Sequence, residues 1–247
     1  MTPRDAAGRT FEVLPDAPAV AVAAAERLIS RIAANAGRPA ICLTGGSGPK
    51  ALYALLGRSD YHARIPWDRV HWFIGDERFV SEDDRRNNMA MARGIFLDRC
   101  APPGNIHPIP TNAPDPDAAA RLYERELQAF HGANHLDAAK PLFDVVLMGL
   151  GPDGHTASLF PGADALNEAK RWVVGVDHAN VEPFVPRVTA TFPALASSRE
   201  MLFLACGEAK HDILSRIMAG ADLPAARARS NGATIWLTDG AAAGRPA

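Results

Sequence analysis

Cysteine is scarce in this 247-residue chain: Cys42, Cys100 and Cys206 are the full set, far apart and without a CxxC pair. An odd, dispersed set builds no disulfide framework, so each thiol is expected to pack as a small apolar group. Charge of one sign is also missing. Twenty-six Lys and Arg stand against 28 Asp and Glu, a formal net charge of −2, which argues against the basic stripe that most nucleic-acid binders carry. A small local basic pocket for an anionic metabolite stays compatible with that balance. No stretch approaches the roughly 18 consecutive apolar residues of a membrane span; Ala17–Ala25 is apolar, but Glu26 and Arg27 follow at once. The opening residues, MTPRDAAGRTFEV, have no basic start leading into an apolar run, so no signal peptide is expected. These absences point to a soluble cytoplasmic protein with no nucleic-acid or membrane partner. Its assembly is expected to be a monomer or small homo-oligomer.

A chain of this length buries roughly three quarters of the surface its unfolded form exposes, so no metal or disulfide staple is needed. At about 150 residues per domain, one or two domains are allowed. The Pro-rich stretch Ala101–Pro116 reads as a long connection rather than a domain linker, and there is no repeat or low-complexity tail. Residues 1–247 are therefore read as a single α/β domain.

Apolar runs of strand length recur at Pro39–Leu43, Arg69–Ile74, Phe143–Met148, Arg171–Val176, Arg187–Phe192, Met201–Cys206 and Ala233–Leu237. The unbroken run Phe143-Asp144-Val145-Val146-Leu147-Met148 has the pattern of a strand covered on both faces, as in a parallel sheet. Val22, Ala25, Leu28, Ile29 and Ile32 recur at helical spacing on one face, and Arg38-Pro39 stops that helix, since the residue before proline avoids the α region. Pro49–Leu56, Asn87–Leu97, Asp117–Phe130 and Glu208–Met218 are further helix candidates. Alternation of this kind predicts an open, mainly parallel sheet sandwiched by helices.

Three segments carry the chemistry. Thr44-Gly45-Gly46-Ser47-Gly48-Pro49-Lys50 follows the first of these runs. Its glycines allow a tight turn and close approach of a ligand, and Pro49 suits the first position of a helix, so the exposed amides can cradle a phosphate. A Walker loop would need Gly-Lys-Ser/Thr, and a nucleophile elbow would need Gly where Pro49 stands. An ordinary βα turn would look much the same. Gly75-Asp76-Glu77-Arg78 ends the next run and lies on the rim where open α/β sheets bind ligands; without the other motifs a solvated loop with a local ion pair would be the commoner outcome.

The third segment, Gly149-Leu150-Gly151-Pro152-Asp153-Gly154-His155-Thr156, follows the buried run. It matches GxGxxG, and Asp177 could pose as a ribose-binding acid, which makes an NAD(P)-dependent oxidoreductase a rival. That rival needs a long crossover helix behind the glycines, and Pro161-Gly162 interrupts the chain within two turns. What remains is a histidine two residues after an aspartate on a ligand-binding rim. Histidine titrates nearest neutral pH and can take a proton from water and return it to a leaving group. The other histidines offer less. His131 and His135 could share a helix face, but Gly132 and Asn134 weaken that helix and no carboxylate completes a metal triad. No HExxH occurs, and no metal or cofactor is expected.

Together these segments resemble a known family. Leu43–Pro49 is similar to its Ser-Gly-Gly-Ser-type loop, Asp76-Glu77-Arg78-x-Val80 to its Asp-Glu-Arg motif, and Gly149–Gly162 to Gly-x-Gly-x-Asp-Gly-His-Thr-Ala-Ser-Leu-Phe-Pro-Gly. The family is 6-phosphogluconolactonase, in the superfamily shared with glucosamine-6-phosphate deaminase/isomerase. Order and spacing fit from about residue 11 to 239, with Pro186-Arg187-Val188-Thr189 and Gly207-Glu208-Ala209-Lys210 as later matches. Many relatives carry Pro and Ser-Asn where this chain has Ser81 and Asn87-Asn88. The deaminase branch continues from Asp-Gly-His into Ala-Phe-Asn-Glu-Pro; here Phe160 stands where that glutamate would be, so the resemblance implies the lactonase. It further implies that His155 activates a water against the C1 carbonyl of a phosphorylated sugar lactone and protonates the departing ring oxygen, with Asp153 orienting the imidazole or the turn. Gly45, Gly46, Ser47, Asp76, Arg78, Arg187 and Lys210 would hold the substrate, the phosphate among the loop amides, Arg187 and Lys210.

Overall fold

The computed structural model describes residues 8–244. The first seven residues of the opening stretch, where no signal peptide is expected, lie outside the described residues, as do 245–247. In chain order the strands are β1 (Arg9–Leu14), β2 (Ala40–Leu43), β3 (His71–Ile74), β4 (Asp76–Arg78), β5 (Ile106–His107), β6 (Phe143–Met148), β7 (Val173–Val176), β8 (Arg187–Ala190), β9 (Ser198–Ala205) and β10 (Ala233–Asp239). The helices that matter here are α1 (Ala17–Ala34), α2 (Lys50–Leu56), α3 (Asn88–Ala92), α4 (Pro116–His131) and α5 (His211–Met218).

Seven strands form one sheet in the order β1-β10-β9-β6-β2-β3-β5, and every pairing in it is parallel. The apolar run at the sheet's centre is buried at every position of β6. Its one charge, Asp144, is satisfied: Oδ2 accepts from Ala40 N at 2.9 Å and Asn35 Nδ2 at 2.8 Å, tying the end of α1 to the start of β2. On the other side of the sheet centre, Trp236 stacks on Phe203 at 3.8 Å and an interplanar angle of 1°. Such a pair contributes about 0.5–1.5 kcal/mol beyond its buried area.

Helix α1 starts where Asp16 accepts from Ala19 N at 2.8 Å, with a proline in the first turn. It buries Val20, Ala21, Ala24, Ala25, Leu28, Ile29 and Ile32. Val22, assigned above to that face, is 43% exposed, because it lies at the margin of the arc that Ala21 and Ala25 centre on the sheet. No helix of the described residues is long and apolar enough to cross a membrane.

Several elements differ from the sequence reading. The helix expected over Asn87–Leu97 is α-helical only to Ala92 and then widens into a π turn at Arg93–Leu97. Gly94 sits inside that turn, and the widening aims Phe96 at Tyr53 and Trp72, with centroids 5.1 and 5.3 Å apart. The run Arg187–Phe192 ends as a strand at Ala190, because Pro193 opens a short helix at Phe192–Ala196. The connection 101–116 contains β5, and the helix read over Glu208–Met218 begins as a 3-10 turn at Glu208–Lys210. Two of the strand-length runs, Arg171–Val176 and Arg187–Phe192, contribute β7 and β8 to a small antiparallel sheet of order β4-β8-β7, outside the parallel one.

The strand order fixes where a ligand can enter. From β2 the chain runs outward through β3 and β5, returns to β6 beside β2, and then builds β9 and β10 in the other direction. The order reverses between β2 and β6, so the loops leaving their carboxyl ends diverge and open a crevice. Those loops begin at Thr44 and Gly149. The small sheet sits over the same end, since only Gly75 separates β3 from β4.

Candidate active site

The loop after β2 is pinned at its base. Tyr53, one turn into α2, receives Thr44 N–H at 3.0 Å and donates to Thr44 O at 2.8 Å through one hydroxyl. Gly45 has to lack a side chain, because a Cβ there would stand 1.9 Å from Asn88 Oδ1. Asn88 in turn donates from Nδ2 to Asp76 O at 2.9 Å, while its Oδ1 is buried with no hydrogen-bond partner among the described residues. The glycine loop, β4 and α3 therefore meet at one amide.

The loop after β6 holds the histidine. Asp153 Oδ1 accepts from His155 N at 3.0 Å and lies 2.5 Å from His155 Nδ1. A carboxylate only accepts, so Nδ1 carries the proton and Nε2 presents its lone pair. Gly151 N donates back to His155 O at 2.9 Å, and a Cβ on Gly151 would fall 2.1 Å from the imidazole. The second glycine of the GxGxxG match thus makes room for a ring. No long helix follows to receive a pyrophosphate; β6 is followed by turns and a 3-10 segment at Asp164–Asn167.

Between these loops lies a cavity of about 390 Å³, lined by Gly45, Gly46, Ser47, Asp76, Arg78, His155, Arg187 and Lys210 among others. Arg187 is 3% exposed; its Nε donates to Val185 O at 3.2 Å and its Nη2 to Pro183 O at 2.8 Å. Burial lowers its affinity for its proton, with Asp76 opposing that. Lys210 Nζ donates to Leu150 O at 2.6 Å, bracing the histidine loop from the far side, and burial pulls its pKa down as well. Arg78 donates from Nη1 to Arg86 O at 2.8 Å. Asp76 accepts from Ser158 Oγ at 2.7 Å. Three cations thus ring a half-enclosed space with few anions, an arrangement that concentrates an anionic ligand.

Comparison with known proteins agrees with that chemistry. The family described as "Glucosamine-6-phosphate isomerases/6-phosphogluconolactonase" matches residues 15–236. The chain belongs to this family. A 6-phosphogluconolactonase of Synechocystis is 41% identical over 218 residues, covering 85% of this chain and 86% of that protein. One from Mycobacterium tuberculosis is 40% identical over 247 residues, covering 96% and 98%. Among solved structures, the 6-phosphogluconolactonase of Thermotoga maritima superposes with a TM-score of 0.78 at 30% identity, over 93% of this chain and 98% of that one.

Within the glucosamine-6-phosphate isomerase/6-phosphogluconolactonase family, position 160 separates the two branches in the sequence reading. Here the Phe160 ring lies 4.8 Å from that of His155, and Phe160 is 1% exposed, so an apolar group fills the place next to the imidazole. Eight of the nine residues singled out from the sequence line the one cavity, and the ninth, Asp153, grips His155 from behind. Glu77 does not share the exposed rim expected of its motif. It is fully buried and accepts from Arg78 N at 2.8 Å, Asn88 N at 2.6 Å and Met89 N at 2.9 Å. Burial pushes its carboxyl up to about 8, against those donors. Alternation along β4 explains this, since Asp76 and Arg78 face the cavity and the residue between them must face away. Cys206 packs against the core as expected, but it is only partly buried and also lines the cavity, and burial raises its thiol to about 11. Asn88, Thr156, Val181 and Glu182 are cavity residues the sequence did not single out. Among the described residues no group of three or more His, Cys, Asp or Glu is placed to hold a metal ion.

Proposed function

We propose that this chain hydrolyses 6-phospho-D-glucono-1,5-lactone to 6-phosphogluconate, the second step of the oxidative pentose phosphate pathway. The observation that carries the reading is the Asp153-held imidazole of His155 opening into a cavity that also contains Arg78, Arg187 and Lys210. The family relatives named 6-phosphogluconolactonase support it.

In this reading His155 Nε2 takes a proton from a water as the oxygen attacks C1 of the lactone. The tetrahedral intermediate collapses with breakage of the bond from C1 to the ring oxygen, and the imidazolium returns its proton to that oxygen. Asp153 keeps the tautomer and steadies the imidazolium. The distal phosphate sits among Gly45, Gly46, Ser47, Arg187 and Lys210, with Arg78 and Asp76 on the sugar side. Arginine offers a forked grip and lysine a point charge. Binding at the phosphate end holds the carbonyl against the water, so remote affinity is used for alignment. A deaminase reading lacks its carboxylate beside the histidine, where Phe160 stands.

The test is the loss of freshly made lactone over its spontaneous background, read through 6-phosphogluconate dehydrogenase. Purified protein should accelerate the loss and release no ammonia from glucosamine 6-phosphate. Ammonia release without lactone hydrolysis would replace the proposal with the deaminase, and an NAD(P)H fluorescence change on binding would revive the oxidoreductase.

A further inference from the structure

A second hydrophobic cluster stands apart from the main core. Phe160, Val176 and Ala179 form it, with Ala163, Ala165 and Val181 packed alongside. One member lines the cavity directly and another packs on the histidine that does. Phe160 meets the His155 ring at a centroid distance of 4.8 Å and an angle of 49°. Val181 lines the cavity wall.

Ala179 and Val181 belong to the strap 177–186 that joins β7 to β8. This strap has two roots. One is the cluster; the other is Arg187, whose guanidinium binds the carbonyls of Pro183 and Val185. Between the roots the strap projects, with Phe184 70% exposed and Glu182 lining the cavity beside Val181. The strap therefore touches the space a substrate fills and, through one small apolar island, the ring proposed to act on it.

His155 needs that contact. The covalent link through Cβ and the hydrogen bond to Asp153 fix one edge of the ring, and contacts on its faces set the tilt that remains. Gly151 bounds one side by close approach of its bare backbone, and Phe160 supplies a wall of its own. A general base works only when its lone pair points at the reacting water, and a displacement of about 1 Å can cost on the order of 10²-fold in rate.

We propose that Phe160 is a positioning residue, which holds the His155 imidazole in line and passes the seating of the strap 177–186 to that ring. The kinetic readout rests on the lactonase reading of the same cavity; the spectroscopic one does not.

Phe160→Ala is expected to lower kcat roughly 10- to 100-fold with KM within about twofold, and Phe160→Leu to restore most of the loss. Ala179→Ser puts a hydroxyl into the cluster at a position that does not line the cavity, and should lower kcat in the same pattern but less. Combined with Phe160→Ala it should cost less than the product of the two single effects, as coupled sites do. In ¹⁵N-labelled protein, the imidazole signals of His155, assigned by their loss in His155→Asn, should be sharp in the parent and broadened in Phe160→Ala. Thermal melting of each variant shows that it is folded, and Phe160→Leu keeps the test open should Phe160→Ala fail to fold. Unchanged kcat together with unchanged ring signals would overturn the positioning role. Strict multiplicativity of the double variant would overturn the link to the strap. Absence of lactone hydrolysis by the parent would sink the functional reading alone, because the ring signals still decide the role of Phe160.

Discussion

Asp153 grips His155 twice, taking the backbone N–H at 3.0 Å and ring Nδ1 at 2.5 Å with the same carboxylate oxygen. An aspartate bonding the backbone two residues on is an Asx turn, a local arrangement that needs no tertiary help. The same oxygen then serves the ring. One residue thereby shapes the loop, sets the tautomer and leaves Nε2 to the cavity, which accounts for the spacing Asp-Gly-His in chemical terms.

Replacing His155 tests the base directly. His155→Ala should lower kcat by roughly 10²–10⁴, the span ascribed to general acid–base catalysis, while KM changes little because the phosphate contacts stay. Steady-state lactone hydrolysis by folded variant protein measures both. Undiminished turnover would remove His155 from the mechanism.

For Asp153 the expected pattern is subtler. Asp153→Asn keeps an oxygen for the backbone N–H of His155, so the turn should survive and melting should barely move. Nδ1 keeps an oxygen to donate to, but the negative charge is gone, so the imidazolium formed when Nε2 takes a proton loses its stabilising partner. A fall in kcat of at least roughly 10-fold is expected, since general acid–base catalysis as a whole contributes about 10²–10⁴-fold and the charge lost here supports it. Equal losses of stability and activity would instead assign Asp153 to the loop alone.

Gly151 gives a steric test of the same ring. Its added Cβ would meet imidazole atoms at 2.1 Å, far inside contact distance, and the ring is the side that can move. Gly151→Ala should therefore cost activity well beyond its cost in stability, and a crystal structure should show His155 rotated away from Asp153. An unmoved ring with full activity would refute the contact.

How much of this could be read beforehand depended on sequence separation. The glycine loop, the Asp-Glu-Arg strand and the Asp-Gly-His turn each lie within a few residues and announce themselves. Arg187 and Lys210 entered through resemblance to a family, since nothing local marks either as facing residue 155. Asn88 was named only as a departure from the family pattern, and Val181 and Glu182 went unnoticed, because their place in the wall follows from packing between segments far apart in the chain. In the fold, β6 was plain from its unbroken apolar run. Strand β1 was missed because Arg9, Thr10 and Glu12 leave no unbroken apolar run, and the alternation of Phe11 and Val13 with Thr10 and Glu12 spans only four residues. Strand β4 spans three residues, too short for any period to register.

Arg187 separates binding from turnover. It is buried, and its guanidinium also holds the strap through the carbonyls of Pro183 and Val185. Arg187→Ala should raise KM by about 10- to 100-fold, the equivalent of a charge-assisted hydrogen bond worth about 1.5–3 kcal/mol, with a smaller loss of kcat. Arg187→Lys should recover little, because an ammonium cannot serve two carbonyls and an anion with the same planar fork. Inhibition by inorganic phosphate gives an independent reading, since its Ki should rise in parallel with KM. An unaltered KM and Ki would take Arg187 out of the phosphate site.

Acid sensitivity should arise away from the cavity, at a pair of histidines on β3 and β5. His71 Nδ1 lies 2.9 Å from His107 Nε2, and His107 Nδ1 lies 2.6 Å from Glu126 Oε1. With His107 donating to the carboxylate, its Nε2 accepts from His71 Nδ1. Burial, followed by the nearby His107 and Arg38, brings His71 down from 6.5 to about 4. The folded state thus binds this proton less readily than the unfolded chain, and its contribution is fully present above about pH 6.5. It is lost as pH falls from there toward 4. Because the site is only partly buried, the effect should be on the order of 1 kcal/mol after solvent screening. Urea midpoints at pH 7.0 and 5.0 measure it: the parent should lose stability between them, and His71→Gln should lose less. A variant with the same drop as the parent would move the acid sensitivity to other groups.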